Sequence, residues 1–375
     1  MHRETGACCP FVPELCGAIR CAAEVCPQKG MGVMHWRRIG GVISRISTTA
    51  ILFTTATFAC HTLAAEAQSS NSGHSMPAAG PNRPASVPDG YVVTPFGYFH
   101  ASCVQSLAKG ERILPDRRIE HADGSVGESA AVCTYAHYTA SGKLVRSNSA
   151  SASQVAANTT NSSTSPEING WIESASITTN AGTSYGSLNA RWTVPPPPKS
   201  DDGQLLYFFP GLEDINNTES ILQPVLTWYE GQWYLQSWNC CLSGIATSSP
   251  PVDVSPGDRI YGSVTSICGP GTPSCATWNV LSLDMTTGQS TELADTPSDG
   301  QVFNWAFGGV LEPYYVISCD DFPPDKEMSF DQVTVFNEGL RPVHDAKWAT
   351  GVNTTDTPQC DFGVNGDPKK VTMSY

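Results

Sequence analysis

Between Gly170 and Phe336 apolar and polar residues alternate in short runs separated by clusters of Gly, Pro, Asn and Asp. A two-residue period of this kind predicts strands. The runs are Gly170–Thr178, Ser184–Val194, Leu205–Phe209, Gln232–Trp238, Asp258–Ile267, Thr277–Asp284, Val302–Phe307, Glu312–Ser318 and Asp331–Phe336. Four prolines, Pro195 to Pro198, close the second run and forbid its continuation in a ladder. This many short strands without a helical period imply an all-β sandwich of two antiparallel sheets.

Two polar groups break the apolar pattern. Gln223 lies among Ile221, Leu222, Val225 and Leu226, so an extended segment delivers one amide from a buried or half-buried strand. Glu312 is the only carboxylic acid in the run Gly308–Ile317, and an acid so placed is expected to titrate high. Each has an ordinary explanation by itself, a satisfied core amide and an edge acid.

The segments upstream set the domain organisation. Trp36-Arg-Arg-Ile-Gly40, the apolar and small-residue run Thr48–Ala59 and the small residues Ala65 and Ala67 form the pattern of a secretory signal, placing residues 1–67 outside the mature protein. Secretion to the extracellular space follows. Residues 68–146 hold aromatic and β-branched clusters and two cysteines, enough for a small disulfide-linked β-unit. Residues 147–166 are almost wholly Ser, Thr, Asn and Ala, a linker open to proteolysis, and 167–375 form the main domain.

Charge divides sharply at the linker. Residues 69–165 carry 7 Lys+Arg against 6 Asp+Glu, net +1, whereas 166–375 carry 8 against 25, net −17. The N-terminal unit also holds His74, His100, His121 and His137. An accessory domain that simply stays attached fits this asymmetry, and so, if the main domain is a peptidase, does an inhibitory propeptide held by charge near neutrality and loosened as acid protonates the carboxylates.

Removing residues 1–67 leaves eight cysteines, an even number that argues for disulfides in an exported chain. Proximity favours Cys103 with Cys133 and Cys268 with Cys275; Cys240, Cys241, Cys319 and Cys360 leave three pairings open. The spacing lacks CxxC pairs and only His344 follows residue 165, so no metal site and no cofactor are expected. Gly182-Thr-Ser-Tyr-Gly186 spells G-x-S-x-G, but without the strand-turn-helix of a serine hydrolase it is a hairpin turn.

What remains is a carboxyl acting with an amide. Glu312 could take a proton from water and return one to a leaving amine, while the Gln223 N–H stabilises the oxyanion without adding charge. The order of motifs from Asn169 to Phe336 resembles the glutamic peptidases of the G1 type, the eqolisins: Ala190-Arg-Trp-Thr-Val-Pro195, Phe209-Pro-Gly-Leu-Glu-Asp214, Ile221-Leu-Gln223, Gln232–Trp238, Val254–Ile260 and Gly309-Val-Leu-Glu312. That resemblance implies a concanavalin-like or jelly-roll-like sandwich, with Gln223 and Glu312 side by side in a cleft and the activity of a secreted acid endopeptidase. Pro313 and Pro224 depart from it, standing where the family has an aromatic and a small polar residue.

Around the pair, Trp228, Trp233, Tyr234, Trp238, Glu213 and Asp214 are the expected substrate-binding residues. A protein or peptide substrate is expected, with no nucleic acid or membrane partner and a monomeric state. Two rivals stand beside the peptidase. One is a glycoside hydrolase in which Glu213 or Asp214 joins Glu312 as the second carboxyl. The other is a non-catalytic module whose aromatic side chains stack on sugar rings or peptide.

Overall fold

A computed structural model of the protein describes residues 74–129, 133–145, 168–180, 182–241 and 244–375. The expected signal segment and the linker lie outside the described residues. Among the described residues the fold is an all-β sandwich with a small disulfide-linked β-unit before it. No helix there is long and apolar enough to cross a membrane.

The larger sheet has nine strands. From one edge it runs Ala349–Val352, Glu173–Thr178, Trp305–Tyr314, Leu205–Asp214, Asn217–Tyr229, Gln232–Cys240, Ala246–Ser248 and Val104–Ser106, with Val252–Val254 also paired to Gln232–Cys240. Its last strand comes from the N-terminal unit and pairs parallel, Val104 with Ala246 through Ser106 with Ser248. The second sheet has seven strands in the order Ser290–Pro297, Thr277–Asp284, Arg259–Ser266, Tyr185–Thr193, Glu327–Asn337, Lys370–Ser374 and Gly363–Asp367. Two runs expected as separate strands, Val302–Phe307 and Glu312–Ser318, are one continuous strand, Trp305–Tyr314.

Burial follows position in the layers. Thr277–Asp284 alternates strictly between half-buried and buried, as a strand with one covered face should. Leu205–Asp214, in the middle of the larger sheet, is buried at every position. One of its faces, with Leu206, Phe208 and Leu212, packs with Trp192, Trp233 and Phe330 in the core between the sheets. The opposite face, with Leu205, Tyr207 and Phe209, packs with Val93, Tyr98 and Phe99 of the N-terminal unit. The central strand is therefore apolar throughout because both faces are covered.

Two irregularities shape the sheet where those layers meet. Register shifts between Phe209 and Gly211 on the central strand and between Phe307 and Gly309 on its neighbour. Extra residues of this kind bend a strand and re-aim its side chains. Glycine is required at the second shift, since a Cβ on Gly309 would stand 2.6 Å from the Phe330 ring.

The N-terminal unit contains a four-stranded sheet, Tyr91–Thr94, Gly97–His100, His137–Tyr138 and Leu144–Val145, and a three-stranded one, Arg112–Ile113, Arg118–Glu120 and Val126–Ser129. Its first hairpin pairs Thr94 with Gly97, leaving Pro95 and Phe96 as a two-residue turn. Gly97 has φ +113° and lies so near Tyr138 that a Cβ would meet its carbonyl oxygen at 2.2 Å. Disulfides join Cys103–Cys133, Cys268–Cys275, Cys240–Cys241 and Cys319–Cys360.

The Cys319–Cys360 bridge spans 41 residues and ties the end of the Glu312 segment to the C-terminal hairpin. The loss of chain entropy in the unfolded state stabilises the fold by about 4 kcal/mol for a loop of that size. Replacing both cysteines by alanine is expected to lower stability by roughly that amount in urea denaturation.

Candidate active site

Gln223 and Glu312 both lie on the face of the larger sheet that the N-terminal unit covers. Gln223 is fully buried and Glu312 is 2% exposed. Their strands, Asn217–Tyr229 and Trp305–Tyr314, flank the central strand Leu205–Asp214 on opposite sides. Tyr207 stands opposite both Glu312 and Thr227, four positions along the strand from Gln223. Among the described residues no hydrogen bond joins the two.

Glu213 lies on the central strand itself, six positions along from Tyr207. It sits on the same face, paired with Ile221 on one side and Trp305 on the other, so Gln223 is its diagonal cross-strand neighbour. It is 3% exposed, and no hydrogen bond reaches its carboxyl among the described residues. Burial, and then the charge of Glu312, hold Glu213 well above the ordinary carboxylate range. The two glutamates thus feel one another across the bent sheet.

Glu312 is held by two donors. The Trp171 Nε1–H donates to Oε2 at 2.9 Å and the Tyr314 hydroxyl to Oε1 at 2.6 Å. Burial raises its pKa to about 8; both hydrogen bonds pull it back down. Desolvation outweighs two good donors because the carboxyl itself is buried. Trp171 precedes the strand Glu173–Thr178 and is fixed by backbone bonds on either side, Gly170 N–H to the Pro313 carbonyl at 2.8 Å and Ile172 N–H to the Leu311 carbonyl at 3.0 Å. Its ring meets Phe209 and Phe307 edge-on, at 5.8 and 5.0 Å.

The Gln223 amide is turned toward a peptide. Nε2–H donates to the carbonyl oxygen of Pro95 at 2.9 Å, while Oε1 has no partner among the described residues. The next residue of that turn, Phe96, lines a cavity of about 430 Å³ together with Trp171, Thr218 and Glu312. Two consecutive residues of one chain therefore reach from the amide to the space beside the carboxyl.

The other expected substrate-binding residues separate by face. Trp238 pairs directly with Gln223 and shares its face. Tyr234 pairs with Thr227, and its ring lies 4.6 Å from that of His74. Trp228 and Trp233 pack against each other in the core between the sheets, away from the site. Asp214 holds a turn, accepting from the Asn216 and Val302 backbone N–H groups. Trp171 and Tyr314 were not among the expected site residues. Tyr314 was within reach, since a residue two positions from Glu312 on one strand shares its face.

No protein-family model matches the chain, and no curated protein does. Among solved structures it is similar to a scytalido-glutamic peptidase with a peptide-based transition-state analogue, at 19% identity over 56% of this chain and 99% of that one, with a TM-score of 0.41. It is also similar to the aspergilloglutamic peptidase of Aspergillus niger, at 17% over 46% and 98%, TM-score 0.36. Lactose-liganded congerin II matches at 14% over 39% and 96%, TM-score 0.24. Overlaps this loose carry no activity across to this chain.

Because Glu312 is neutral in the fold up to about pH 8 and ionises near 4.5 when exposed, the unfolded chain releases its proton first as pH rises. Its contribution to stability is present below about pH 4.5 and is lost toward pH 8. The unfolding free energy measured in urea is expected to fall over that range by up to about 1.4 kcal/mol per pH unit. In Glu312→Gln this part of the slope should vanish.

Proposed function

We propose that the chain is a peptidase in which Glu213, Gln223 and Glu312 act on a peptide carbonyl. The bond from the Gln223 amide to the Pro95 carbonyl supports this reading most directly, because it is the contact an oxyanion donor makes with a peptide. A sugar without an N-acetyl group offers no carbonyl in that place.

The roles follow from the donors around each acid. Glu312 receives two hydrogen bonds that favour its anion, so it takes the negative charge once water reaches the site. Glu213 has none and keeps its proton. Coupling pushes the two acids apart in this way and yields one base and one acid. Glu312 removes a proton from water as the water oxygen bonds to the carbonyl carbon, and the carbonyl π pair moves to oxygen. Gln223 Nε2–H donates to that oxyanion. As the C–N bond breaks, Glu213 gives its proton to the departing amine; proton exchange with solvent then restores the pair. The reaction therefore runs in the pH window in which Glu312, once hydrated, is ionised while Glu213 still holds its proton.

Hydrolysis of denatured casein by the full chain between about pH 2 and 7 tests this. Gln223→Ala is expected to lower kcat roughly 100- to 1,000-fold, the usual loss for one oxyanion donor. Glu312→Gln and Glu213→Gln should each abolish turnover. Full activity in folded Glu312→Gln would refute the assignment, as would a wild type that cleaves polysaccharide and no peptide.

A further inference from the structure

Two ion pairs and one hydrogen bond tie the N-terminal unit to the sandwich: Arg112 with Asp295, Arg117 with Asp299, and the His74 ring with Asp253. Its strand Val104–Ser106 completes the edge of the larger sheet, where the Leu107 N–H donates to the Ser248 carbonyl at 2.8 Å. Its turn Pro95–Phe96 fills the face that carries Gln223 and Glu312. On the reading above, the site cannot take a substrate until this unit moves.

His137 lies inside the unit that must move. It is 2% exposed, and both ring nitrogens lack a hydrogen-bond partner among the described residues. The ring stacks on Phe99, with centroids 4.6 Å apart and planes 8° from parallel. Phe99 belongs to Gly97–His100, the second strand of the hairpin whose turn holds Pro95 and Phe96. The same strand pairs with His137–Tyr138 through Tyr98 and Tyr138.

The titratable groups around it are Tyr91, whose hydroxyl donates to the Ala136 carbonyl, Tyr138 beside it, and His100, which stacks on Tyr135. Val145 faces it from the last strand of the unit. No carboxylate stands among these groups to pair with an imidazolium, and only burial acts on the ring, lowering its pKa to about 4.

We infer that His137 is an acid-operated latch: protonation inside the N-terminal unit unseats the strand that carries Pro95 and Phe96 and so frees the sheet face. The inference rests on the peptidase reading only for the meaning of the freed site, not for the release. A buried ring without partners cannot keep a proton, whereas an exposed one binds it from about pH 6.5 downward. The released state therefore takes up a proton that the docked state refuses. Between about pH 6.5 and 4 the balance shifts toward release by about tenfold per pH unit.

Amide hydrogen exchange on the full chain, corrected for intrinsic rates, reads this without substrate. Protection of the Leu107 amide should fall on the order of a hundredfold from pH 6.5 to 4. In His137→Phe, which keeps the stack on Phe99, it should stay nearly constant. An equal loss in that variant, or no loss in the wild type, overturns the latch. Should His137→Phe not fold, titration of the wild-type His137 ring by NMR decides: a midpoint near 4 that coincides with loss of Leu107 protection supports it, and one near 6.5 with that protection intact overturns it. Release without casein hydrolysis would sink the peptidase reading and leave the latch standing.

Discussion

Desolvation of two carboxyls is the constraint on which the arrangement rests. Glu213 and Glu312 sit on an apolar sheet face where a charge is costly, and the sheet keeps them by keeping them neutral. Trp171 and Tyr314 oppose that tendency at Glu312 alone. The asymmetry is built by the backbone: Gly170 and Ile172 anchor Trp171 to the strand that carries Glu312.

The same face explains why the N-terminal unit is attached so firmly. Tyr207, Phe209, Val225 and Trp238 would form a large exposed apolar patch without Val93, Tyr98 and Phe99 above them. Tyr98 meets Tyr314 edge-on at 5.6 Å, so the covering layer packs directly against a residue that holds Glu312. Covering the face and raising the pKa values of its acids are one physical event.

Strand type and position were legible where burial alternates, as in Thr277–Asp284, because one face meets the core and the other does not. Trp305–Tyr314 was harder. Its two glycines interrupt the pattern and suggest a turn, yet they serve the bulge and the close approach of Phe330. Gln223 and Glu312 stood out because each is a lone polar group among apolar neighbours. Their facing and spacing did not, since these depend on register and on two bulges that a one-dimensional pattern does not encode. Trp228 and Trp233 share composition with Trp238 but not its face, and only pairing across the sheet separates them.

The parallel pairing of Val104–Ser106 with Ala246–Ser248 also governs solubility. While it holds, the N–H and C=O groups along that side of the larger sheet are satisfied within one molecule. Once the strand withdraws, Ala246–Ser248 becomes a bare edge next to a newly uncovered apolar face, the combination that templates strand addition between molecules. The freed sandwich is therefore a sticky species whose lifetime falls with concentration, and any extended chain that lies along that edge protects it while bound.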